Sequence, residues 1–141
     1  MEIASGEFAS CPKSQIGADT ELPVGWVVIR HDQVPFKSQR RELYGKWVAI
    51  QSEEKTIYRI LRFSPTLPKD GIVIDWGGWI DLQGDREEFE KNLKLKISTV
   101  PWHQAIRLPF FHVDHSVRIS SYLGALSLVI AIVSLIIALN H

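Results

Sequence analysis

Short-period alternation of apolar and polar residues runs through the middle of the chain and gives way to an unbroken apolar run near its end. Residues 119–139 read ISSYLGALSLVIAIVSLIIAL, apolar on every side of a helix and free of Lys, Arg, Asp and Glu. Twenty-one helical residues at about 1.5 Å each span about 31 Å, matching a hydrocarbon core of roughly 30 Å. Twelve of them are Leu, Ile or Val, which together favour insertion by roughly 4–7 kcal/mol. A helix also satisfies its own backbone polar groups, as lipid demands. The remaining chain is too short to enclose a helix that is apolar all round. The pattern therefore predicts one transmembrane helix over residues 119–139.

Only Asn140 and His141 follow this segment, which predicts a tail anchor. Arg107 and Arg118 precede it, so the positive-inside rule places the N-terminal part in the cytosol. Arg118 can snorkel to the headgroups and Tyr122 can anchor at the interface. Residues 1–20 carry Glu2, Glu7, Lys13 and Asp19 with no apolar stretch, so no signal peptide is expected there. The lone Cys11, after Phe8-Ala9-Ser10, lacks the basic start and apolar run of a lipoprotein signal and is expected to be a free thiol in a mobile arm.

Upstream, residues 1–22 are polar without periodicity and are expected to form a flexible arm. Residues 23–100 hold the strand patterns: VGWVVIR after Pro23, KWVAI after Gly45, TIYRILRF over 56–63, then 72–76 and 79–82 flanking Gly77-Gly78 as a hairpin, and LKLKI over 93–97. Residues 31–44 have room for one helical turn. Asp85 is expected to cap a short helix, with Glu88 completing a capping box and Phe89 facing Leu93. Lys94 and Lys96 alternate with apolar residues, as on a protected edge strand. The fold class is thus a mainly β domain, a small barrel or sandwich of five to seven short strands with one short helix, plus the C-terminal transmembrane helix. In strand spacing, residues 45–84 resemble half of a double-psi-type barrel. Residues 101–118, with Pro101, Pro109, Trp102, Phe110 and Phe111, read as a juxtamembrane connector.

Charge and composition narrow the function. The chain has 141 residues with 16 basic and 16 acidic side chains, so it offers no basic excess for nucleic acid. One cysteine excludes an internal disulfide and a thiolate zinc site. No phosphate-loop, dinucleotide, nucleophile-elbow, HExxH or CxxC motif is present. His112, Asp114 and His115, with His103 upstream, have ligand chemistry for zinc if the membrane helix extends back to them; otherwise they are polar groups at the headgroups or pH sensors. No other cofactor is expected. Asp75 and Asp81 offer an acid–base pair. Trp26, Trp47, Trp76 and Trp79 are core residues or an aromatic platform. Lys37, Arg40, Arg41 and Lys46 form a modest basic patch.

Within the apolar segment, Gly124, Ser127, Ala131, Ser134 and Ala138 recur at spacings of 3, 4, 3 and 4, one stripe of small residues that suits close helix–helix packing. The sequence thus predicts a non-catalytic, tail-anchored, single-pass protein. It would be an accessory, scaffold or regulatory subunit docking through its helix on an integral membrane protein or on a second copy. The alternatives are an oligomerising, membrane-perturbing effector and a membrane-tethered small enzyme.

Overall fold

The computed structural model describes residues 1–17 and 22–140; residues 18–21 of the expected arm and His141 beyond the helix lie outside the described residues. The chain forms two units, Met1–Pro101 and a second beginning at Trp102.

The first unit is built on six strands: β1 (Glu2–Ser10), β2 (Trp26–Arg30), β3 (Trp47–Gln51), β4 (Thr56–Ser64), β5 (Gly71–Val73) and β6 (Asn92–Thr99). They form a mixed sheet in the order β1-β5-β2-β4-β3-β6, and β1 also pairs with β6, so the sheet closes on itself. The β1–β5 and β2–β4 pairs are parallel and the other four antiparallel. Exchanging β1, β2 and β3 with β4, β5 and β6 maps every pairing onto one of the same sense. Each half also places a short helix before its last strand, α1 (Lys37–Leu43) in the first and α2 (Trp76–Gln83) in the second. The repeating half is therefore β4 to β6, rather than the 45–84 window that strand spacing picked out.

The expected flexible arm is corrected by β1. Its inward positions are Ala4 and Phe8, both buried, while Glu2, Ser5 and Glu7 face out. A small Ala and the achiral Gly6 opposite Leu95 hide the two-residue period that would have marked a strand. The folded unit consequently includes these first residues, and Cys11, a half-buried free thiol, donates its backbone N–H to Ile72 O at 2.9 Å instead of lying in a mobile arm.

β2 is buried on both faces. Val27 and Ile29 join the main core with Val48, Ile50, Leu61, Ile72 and Ile97, while Val28 packs in a second cluster with Leu22, Leu67 and Val73. This explains why its sequence reads as a continuous apolar run. In β6, Leu93, Leu95 and Ile97 are buried and the lysines face out as expected, but β6 pairs on both sides and is no edge.

The Gly77-Gly78 hairpin is replaced by α2. Asp75 caps it, accepting from Gly78 N–H at 2.9 Å, and Trp79, Leu82 and Gln83 turn one face into the domain. Gly84, at φ 76, ends it. Residues 85–91 do not form the expected capped helix, because the buried Gln83 side chain takes their backbone groups. Its amide donates to Arg86 O and Glu88 O and its carbonyl accepts from Glu90 N–H, while Trp79 Nε1 donates to Glu90 O. Phe89 stacks on Trp76 instead of facing Leu93.

The second unit holds α3 (Trp102–Ala105), a 3-10 turn (Leu108–Phe111) and α4 (His115–Leu139). α4 starts four residues before the predicted span, ends where expected, and is long and apolar enough to cross a membrane. Because Phe8 closes the sheet, Phe8→Ala should cost about 3–5 kcal/mol in urea unfolding followed by tryptophan fluorescence. A loss under about 1 kcal/mol would contradict the role of β1, since deleting a buried phenyl normally costs more.

Candidate functional site

α4 carries the chain's most unusual surface. None of its residues is buried, and Leu126, Leu128, Ile130, Ile132, Val133 and Ile137 are all exposed. Gly124, Ser127, Ala131, Ser134 and Ala138 are likewise exposed, and a Cβ at Gly124 would meet nothing within 4 Å. The hydroxyls of Ser121, Ser127 and Ser134 donate to the carbonyls of Val117, Leu123 and Ile130 at 2.8, 2.9 and 2.8 Å. These serines are thus satisfied within the helix, which suits a solvent that cannot hydrogen-bond.

The N-terminal end is fixed by local hydrogen bonds. Asp114 Oδ1 accepts from Ser116 N–H at 2.9 Å and from Ser116 O–H at 2.7 Å, and Asp114 N–H donates to His112 Nδ1 at 3.0 Å. The Ser116 hydroxyl and N–H hold the Asp114 carboxyl below its ordinary pKa. This arrangement engages two members of the expected ligand set of His112, Asp114 and His115 in local hydrogen bonds. α4 begins at His115, so His112 does not share its face, and His112 Nδ1 and Asp114 Oδ1 serve the cap. His103 lies in α3 with its ring edge-on to Trp102. Among the described residues, no group of three or more His, Cys, Asp or Glu is placed to hold a metal ion. Of the expected anchors, Arg118 is exposed and Tyr122 packs edge-on against Phe110, with centroids 5.3 Å apart.

In the first unit, the two aspartates do not face each other. Asp75 binds Arg59 through two contacts, Nε–Oδ1 at 2.7 Å and Nη2–Oδ2 at 3.1 Å, while Asp81 binds Lys55 at 2.8 Å on the surface. Arg59 was not singled out by sequence, yet its signal was there: Ile57, Arg59 and Leu61 share the inward face of β4, and Arg59 is 5% exposed. Its Nη1 donates to Tyr58 O at 2.8 Å. Gly78 makes room for it, because a Cβ there would lie 2.7 Å from Arg59 Nη2. Burial pushes the Asp75 carboxyl up, but the hydrogen bonds and charge of Arg59, with the Gly78 N–H, outweigh it and leave the pKa below 3.8. The two ion pairs fasten α2 to β4 and its preceding turn.

The tryptophans divide. Trp79 is core, Trp26 is half-buried and edge-on to Tyr44, Trp47 is half-buried, and Trp76 is exposed and stacked on Phe89 at 5.2 Å. In the basic patch, Arg40 Nη1 donates to the carbonyls of His31 and Val34 and so holds that loop, and Lys46 meets Glu42 at 3.4 Å. A cleft of about 260 Å³ beside the β3–β4 turn is lined by Glu7, Glu53, Glu54 and Glu90 together with Arg86 and Lys94. Ser52 in its wall is committed to the turn, accepting from the Glu54 and Lys55 N–H groups. The sequence concealed this cleft because it requires β1 to be part of the sheet.

No protein-family model and no curated protein matches the chain. One solved structure that it is similar to is that of the rationally designed mkDPBB_sym1 protein, at 12% identity over 69% of this chain and 100% of the other, with a TM-score of 0.41.

A folded-state carboxyl held below 3.8 stabilises the fold fully above that pH, and the gain drains away as pH falls toward the depressed value. Asp75→Asn leaves Arg59 buried without its counter-charge and should cost about 3 kcal/mol at neutral pH. It should also flatten the loss of stability below about pH 4. Urea unfolding across pH checks this, and an acid limb parallel to the wild type would contradict it.

Proposed function

We propose that α4 anchors this protein across a membrane as a single span. The closed six-stranded domain would work at the cytosolic surface as an accessory, scaffold or regulatory subunit without catalysis of its own. The observation that carries the reading is a 25-residue helix with no residue buried, whose residues 119–139 are apolar on every side. In water such a surface would be a large aggregation liability; in hydrocarbon it is solvated. Arg107 and Arg118 at its N-terminal end support the cytosolic placement.

The stripe of Gly124, Ser127, Ala131, Ser134 and Ala138 supports docking on a partner helix, because small side chains let two backbones approach closely. With the serine hydroxyls turned back onto their own carbonyls, close packing rather than interhelical hydrogen bonding supplies most of the attraction. The ion pairs that occupy Asp75 and Asp81 give both aspartates a structural role in docking α2. The matched pairings of the two sheet halves favour a barrel of the double-psi type.

Expressed in cells, the full chain should stay in the membrane pellet through alkaline carbonate extraction, and a chain ending at Val113 should be released. Ala131→Leu should remain in the pellet but weaken association in a membrane-helix reporter. Release of the full chain by carbonate would overturn the anchor, and an unchanged reporter signal would overturn the seam. Dye leakage from liposomes would favour a membrane-perturbing effector over a scaffold.

A further inference from the structure

We propose that residues 102–111 lie in the headgroup layer of an anionic bilayer as an aromatic elbow beside α4, with Trp102 and Phe111 seated in the lipid. The proposal rests on the reading that α4 crosses the bilayer. Three large apolar side chains in this stretch are uncovered: Trp102 is 76%, Ile106 59% and Phe111 78% exposed. The stretch does not continue α4, because Asp114 caps the helix at its start and the 3-10 turn ends at Phe111.

The chain instead folds back along the helix. Phe110 packs edge-on against Tyr122, seven residues into α4, or about 10 Å along its axis. The 3-10 turn therefore sits at the depth of the first two turns of α4, where the charged chain gives way to the apolar span. The hydrogen bonds among His112, Asp114 and Ser116 hold the bend. At that depth, exposed Trp and Phe meet the boundary between headgroups and acyl chains, which such side chains prefer.

Charge selects the lipid. Arg107 lies within the elbow and Arg118 just beyond it; against the single carboxylate of Asp114 they leave a net positive charge beside the headgroups, which anionic lipid attracts.

The full chain is reconstituted into phosphatidylcholine–phosphatidylglycerol vesicles with acyl chains brominated at graded depths. Of its five tryptophans, Trp102 is isolated by subtracting the spectrum of Trp102→Phe. The Trp102 emission should be blue-shifted and quenched most by bromines within about 5–10 Å of the headgroup boundary. Flotation of the same vesicles reports insertion of α4 separately. Vesicles that float with Trp102 unquenched would overturn the elbow alone, as would emission showing that a protein surface covers it. Failure to float would overturn the elbow together with the span. Equal quenching in purely zwitterionic vesicles would overturn the preference for anionic lipid.

Discussion

A helix that is apolar on all sides must be surrounded by something apolar, and this constraint organises the account. α4 has no buried residue and no charged side chain beyond Arg118. Its only polar side chains within the apolar stretch are serines, of which Ser121, Ser127 and Ser134 return to carbonyls four residues back, and the Tyr122 phenol near its start. The polar cost of leaving water is thus largely met within the helix, while the apolar gain requires hydrocarbon or a partner helix. The His112–Asp114–Ser116 cap belongs to the same logic: it satisfies the first N–H groups just where the chain would leave water.

The first unit answers a different constraint, the need to leave no sheet edge open. Closure depends on β1, whose pairing with both β5 and β6 completes the ring. Two halves with matched pairing share the core. The second half adds the buried Arg59–Asp75 pair, which ties α2 across β4. A buried pair of this kind is a poor source of net stability but a strong determinant of how its elements dock, because either charge alone would be costly.

How far the sequence revealed this depended on side-chain size. The apolar run of 119–139, the alternation of 93–97 and the β-rich 56–63 segment announced themselves. β1 did not, because Ala4 and Gly6 are too small to display a period. α2 was masked by Gly77-Gly78, although Asp75 before it, Gly84 after it and the Trp79–Leu82–Gln83 spacing together spelled a capped helix. Of the candidate sites, the small-residue stripe was visible because a single helix places it. The cleft at Glu7, Glu53 and Arg86 was not, since it joins strands far apart in sequence. The histidine cluster drew attention by residue type, yet His112 and Asp114 have local duties at the start of α4.

The orientation of α4 in a bilayer decides whether it spans. With 13C-labelled carbonyls along residues 123–138, polarised infrared spectra of the full chain in aligned bilayers report the angle of the helix axis. A spanning α4 should hold its axis tilted by no more than about 40° from the bilayer normal. An axis lying in the membrane plane, or labels with no preferred orientation, would contradict it.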